Sequence, residues 1–138
     1  MEILPCHIFL LRKSLSGKIP LNFSLNRLKM NISKTIKYLR KQIPSFKCKE
    51  GCFDCCGPVP FAKWEWEKVK DKREATSLTC PYASEIGCEI YEQRPIVCRI
   101  YGTVNKLRCP YGCGPDKLLS EKKENEIMNK YHRVMEST

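Results

Sequence analysis

A small, mostly α-helical single domain with irregular loops and one short hairpin is the fold this sequence predicts, on three observations. Apolar residues recur at helical spacing towards both ends: Ile32, Ile36, Leu39 and Ile43 before the middle, then Ile127, Met128, Tyr131, Val134 and Met135 after it. Between them, residues 48 to 113 hold nine cysteines against ten Val, Ile and Leu, so sulfur is nearly as plentiful there as aliphatic side chains. Gly51, Gly57, Pro58, Pro60, Pro110, Gly112 and Gly114 punctuate that stretch, so tight turns are expected there rather than long regular elements.

The chain has 138 residues, the length of one domain. Its 42% apolar content includes ten cysteines, and without them the supply is thin for an unaided core. Another constraint must help, either disulfides or metal ions, and the compartment decides between them. The start is unlike a secretory signal: Glu2 comes first, Pro5, Cys6 and His7 interrupt the apolar residues, and Arg12 and Lys13 follow Ile8 to Leu11. No apolar run approaches the roughly 20 residues of a membrane span. The expectation is a cytoplasmic protein without a membrane segment, whose thiols stay reduced and ligate metal, which in turn stabilises the fold.

In chain order, residues 1 to 29 carry apolar side chains with no sustained period that we read. They are expected to be a dispensable extension, with Met30 as an alternative translation start and residues 30 to 138 as the cysteine-cluster domain. The competing expectation is that Ile8 to Leu11 and Phe23 pack across the domain. From Asn31 the spacing predicts a helix, capped by Asn31 or Ser33 and ended by Pro44, with Lys34, Lys37 and Lys41 opposite the apolar face. Ala62 to Arg73 predicts a short helix laying Trp64 and Trp66 over the cysteines, and core packing is the simpler role for both tryptophans. Ser77 to Tyr82 and Cys88 to Tyr91 flank a turn at Ser84 to Gly87, placing Cys80 and Cys88 across a hairpin. Pro95 and Gly102 bracket a short helix around Cys98, and Ser120 to Met135 predicts a closing helix whose stripe is core.

The cysteines point to chemistry. Cys48, Cys52, Cys55 and Cys56 fall within nine residues, and Cys80, Cys88, Cys98, Cys109 and Cys113 follow. Gaps of three (48 to 52), two (52 to 55) and three (109 to 113) let one turn present two ligands, and all-sulfur tetrahedral sites hold zinc or iron–sulfur clusters. The two histidines, His7 and His132, lie outside the cysteine region and are expected at the surface. Neighbouring Cys55 and Cys56 point to opposite sides of a non-helical segment, which implies two sites, or one ligand and one bystander. Nine sulfurs make two four-coordinate sites with one left over. Arg94 and Arg99, near Cys98, either favour its thiolate or serve ordinary surface and cap roles.

The run Cys-x3-Cys-x2-Cys-Cys, followed by Gly57-Pro-Val-Pro60, Cys80-Pro-Tyr, Gly87-Cys88-x-Ile-Tyr-Glu-x-Arg-Pro-Ile-Val-Cys98-Arg and Cys109-Pro, resembles the CxxCxxCC family of zinc- or iron-chelating domains, the YkgJ-like cysteine-cluster proteins. The likeness covers about residues 46 to 115. The first gap is x3 where the family name has x2, and Cys113 is an addition to the family's eight cysteines. The resemblance implies zinc or iron held by these cysteines and leaves the activity open.

Composition bounds the partners. Residues 1 to 47 carry ten Lys/Arg and one acid, residues 48 to 113 ten and nine, and residues 114 to 138 five and five. An N-terminal excess within a net charge of +10 permits nucleic-acid or anionic-surface contact, although basic residues without arginine–aromatic alternation are the ordinary pattern of a solvated face. The sequence holds no glycine-rich phosphate loop, no paired carboxylates in an apolar setting and no cysteine–histidine nucleophile pair, so nothing independent of the cluster argues for an enzyme. Three functions stay open: a metal-binding protein with largely structural ions, serving also as a module for a protein partner; an iron–sulfur redox protein or enzyme; and a nucleic-acid-binding zinc module.

Overall fold

The computed structural model describes residues 21 to 137, with side chains from Leu25 onward. The expectations for residues 1 to 20, including those for Cys6, His7 and Ile8 to Leu11, lie outside the described residues, as does the side chain of Phe23.

Helix α1 spans Leu21–Gln42, beginning ten residues before the expected cap at Asn31. The reason is in the spacing: Leu21, Leu25, Leu28, Ile32, Ile36, Leu39 and Ile43 follow one another at intervals of three or four, so the apolar line runs unbroken from the segment expected to be aperiodic. Among its described side chains, burial is confined to the second half. Ile32, Ile36, Leu39 and Ile43 are buried, whereas Leu25 and Leu28 are 45% and 43% exposed over an open groove shared with Trp64 and Ser137. The helix stops before Pro44, as expected.

A short helix, α2 (Lys63–Lys68), follows the cysteine loop and is shorter than the sequence implied. The hairpin is reduced to β1 (Ala83–Ser84) and β2 (Gly87–Cys88), antiparallel, with Ala83 opposite Cys88. The Ser84 hydroxyl donates to the Gly87 carbonyl at 2.8 Å, closing the turn. Helix α3 (Ile96–Ile100) carries Cys98. The chain then turns at Gly102, which has φ +80°; a Cβ there would lie 2.3 Å from the Phe46 ring, so neither the backbone angle nor the space admits a side chain. Val104 forms a parallel bridge with Leu119, leading into α4 (Glu121–Glu136). Ser120 caps α4 by accepting from the Lys123 amide at 3.2 Å, and Glu121 and Glu124 complement the positive end of its dipole.

Two apolar clusters result. The larger joins the inner face of α1, Ala62, Ile96 and Ile100 of α3, Val104, and the Ile127, Tyr131 and Val134 stripe of α4. The smaller has only Phe61, Val69, Tyr82 and Ile90 buried, with Val59, Trp66, Cys80 and Cys88 packed against it. The two tryptophans therefore diverge: Trp64 packs on the larger cluster, and Trp66 packs on the smaller, meeting Phe61 edge-on at 5.2 Å.

Candidate functional site

The nine cysteines from Cys48 to Cys113 are all free thiols on loops, the hairpin and α3, and Cys80 and Cys88 pack against the smaller cluster. Two tight turns shape the first loop. The Cys52 amide donates to the Lys49 carbonyl at 3.2 Å, and the Cys56 amide donates to Phe53 at 2.9 Å. The Cys80 amide reaches the Cys56 carbonyl at 3.3 Å, which ties the hairpin segment to this loop. A second turn, Cys109 to Cys113, is closed by the Gly112 amide on the Cys109 carbonyl at 3.1 Å, with Gly112 at φ +75°. A latch joins it to the first loop: the Tyr111 hydroxyl donates to Asp54, and Lys49 Nζ lies 4.1 Å from the centre of the Tyr111 ring.

The thiols sort into two electrostatic neighbourhoods. Burial pushes the Cys48 thiol up, and Cys55, Cys52 and Cys109 push it further. Burial likewise raises Cys55, with Cys109 and Cys52 adding to it. Cys109 runs the other way: the Tyr111 amide donates to its sulfur, the Cys113 amide and thiol add to this, and the ammonium of Lys49 helps, so its thiolate is favoured. Cys48, Cys52, Cys55 and Cys109 thus sense one another, with Cys113 hydrogen-bonded to Cys109.

The other neighbourhood is drier. Burial lifts Cys56 to about 12, helped by adjacent Cys55 and by Cys80 and Cys88. Burial also lifts Cys98 to about 12, helped by Cys80, Cys88 and Cys56. Cys88 is raised by burial against the pull of the Ile90 amide and Arg94. Adjacent Cys55 and Cys56 therefore divide between the two groups while hydrogen-bonding each other through their thiols. Of the two arginines, Arg94 does pull Cys98 towards its thiolate, but desolvation outweighs it. Arg99 spends its guanidinium on the carbonyls of Arg94 and Glu92, at 3.1 and 2.8 Å.

As donors, these thiols suit a thiophilic ion. Their positions do not yet close around one: among the described residues no three His, Cys, Asp or Glu side chains stand grouped to hold a metal ion. The two neighbourhoods are loose gatherings of sulfur rather than finished tetrahedra. His132 is exposed on α4, as expected.

One charged residue that the sequence reasoning missed lies at the junction of all four helices. Glu65 of α2 has no exposure. Its Oε2 accepts from the Tyr131 hydroxyl at 2.6 Å, and its Oε1 accepts from the Ile96 amide at 3.0 Å and from Arg40 at 3.4 Å. The Ile96 amide is an orphan donor at the start of α3, so Glu65 caps from outside the helix that carries Cys98. Burial, then the Glu65 carboxylate, push the Tyr131 hydroxyl far up, so it stays a donor. Ala62 and Val69, which flank α2, are buried as Glu65 is, but they pack into different clusters, so no single apolar face in the sequence marked the acid.

Compared with protein-family models, with curated proteins and with solved structures, the chain matches none of them.

Proposed function

We propose that this chain is a cysteine-cluster metal-binding protein that takes up zinc or an iron–sulfur cluster through all-cysteine sites, the metal being largely structural. The observation that carries this reading is the sorting of the free thiols into two neighbourhoods, in a region whose smaller apolar cluster has only four buried residues. Cys48, Cys52, Cys55 and Cys109, with Cys113 beside them, would hold one site; Cys56, Cys80, Cys88 and Cys98 would hold the other. A bound metal supplies cross-links between the first loop, the hairpin, α3 and the Cys109 turn. The thiols must lose protons to ligate, so uptake is opposed by the desolvation that raises Cys56 and Cys98 and strengthens as pH rises. Such thiols require a reducing compartment, which is why we assign the protein to the cytoplasm. Among the described residues no helix is long and apolar enough to cross a membrane.

A second reading, an iron–sulfur redox protein or enzyme, is favoured by the Cys-Pro steps at Cys80 and Cys109 and by the amides donated to the Cys109 sulfur. One experiment addresses both. Protein purified anaerobically without chelator should contain at least one equivalent of zinc plus iron by elemental analysis. A colourless zinc protein supports the first reading and rules out the second, and a visible charge-transfer band that bleaches on reduction and returns on reoxidation supports the second. Less than one equivalent of combined metal refutes both.

A further inference from the structure

We propose that the outward face of α1 binds the phosphate backbone of a nucleic acid, independently of what the cysteines hold. The helix runs 22 residues without a single acid. Its inward face is fixed in the larger core, so the opposite face is presented rigidly to solvent. Arg27, Lys34 and Lys41 recur there every seven residues, about 10.5 Å apart along the axis, with Lys37 alongside. All four are exposed, and among the described residues none of them takes part in an ion pair.

The rest of the molecule is built differently. Helix α4 carries four acids and four Lys/Arg in 16 residues, and two of its acids are paired, Glu121 with Lys106 and Glu126 with Lys123. Arg40, the α1 cation nearest the core, is turned inward to Glu65 and the Arg94 carbonyl. Helix α1 thus presents its cations with no acid interleaved, unlike α4. Lys130 of α4 extends the row, placing its ammonium 5.4 Å from the centre of the half-exposed Tyr38 ring beside Lys34 and Lys41.

Three partner classes carry enough negative charge to match this stripe: nucleic acids, anionic lipid surfaces and acidic proteins. Lipid is disfavoured because Ile32, Ile36, Leu39 and Ile43 are already buried in the domain and cannot enter a bilayer. An even row of cations suits a partner whose charges also repeat evenly, which a phosphate backbone provides and a folded acidic surface does not. Because the stripe carries cations with a single aromatic at its edge, binding is expected to be independent of base sequence.

The test is fluorescence anisotropy with a labelled single strand and a matching duplex, titrated at salt from about 50 to about 200 mM. Log affinity should fall linearly with log salt. The triple variant Arg27→Gln, Lys34→Gln, Lys41→Gln should weaken binding at least about tenfold at low salt and flatten the slope by about 2 or more. The triple variant Lys70→Gln, Lys106→Gln, Lys117→Gln removes equal charge elsewhere and should stay within about twofold of the parent. All six side chains are exposed, and circular dichroism checks that both variants fold. Equal weakening by the two variants, no salt-dependent binding, or tighter binding to phosphatidylserine vesicles or polyglutamate would each overturn the proposal.

Discussion

Glu65 lies within α2 with no exposure, and the residues that flank the helix, Ala62 and Val69, are buried too. Taking that charge out of water is unfavourable by several kcal/mol, and the Tyr131 hydroxyl, the Ile96 amide and Arg40 together offset it. Removing the acid strands those donors, and Arg40 Nε already lies buried without a partner. Glu65→Ala should therefore destabilise the protein by about 3 kcal/mol or more, read from the shift in a urea melt. A loss below about 1 kcal/mol would mean the carboxylate is not the hub described. In residues 62 to 73 the sequence reading centred on Trp64 and Trp66 and passed over the acid between them. Cys55 and Cys56 were expected to diverge as neighbours outside a helix, yet their thiols hydrogen-bond each other, even as their other sulfur contacts differ. The net direction of Cys98 was not legible, because sequence shows the nearby arginine but not the burial that outweighs it.

Among the elements, α4 and the short helix around Cys98 follow their sequence signals closely, because Ser120, Pro95 and Gly102 are local cues that need no distant partner. Helix α1 was legible in its second half and misjudged at its start. Asn31 and Ser33 are strong cap residues, yet the apolar spacing continues through them back to Leu21, and a continuous face outweighs an available cap. Among the described side chains, Leu25 and Leu28 remain nearly half exposed, and every buried one of α1 lies after Met30. A chain starting at Met30 should thus keep its metal content and lose no more than about 1 kcal/mol of stability. A larger loss, measured by thermal melting against the full chain, would show that the first turns or the residues before them are buried against the domain.

At the scale of the molecule, the two clusters are unequal. The larger has eleven buried residues, most of them on α1, α3 and α4, which the sequence signals do identify. The smaller has four, and the loops around it run from Cys48 to Cys113 with little regular structure. Sequence showed that this region is poor in aliphatic residues and rich in sulfur, but which cysteine meets which depends on loop paths that no period encodes. Apolar burial at about 25 cal/mol per Å² over so few side chains falls short of the entropy of ordering those loops, which is why the account assigns the remainder to metal.

That assignment is the central claim, and stripping the metal tests it most directly. Circular dichroism and thermal melting should be followed before and after a strong chelator, with elemental analysis confirming removal. The account predicts a change in the aromatic signal around Trp66 and Tyr82 and a fall in melting temperature of more than about 10 °C. A metal-free protein with an unchanged spectrum and an unchanged melt would contradict it.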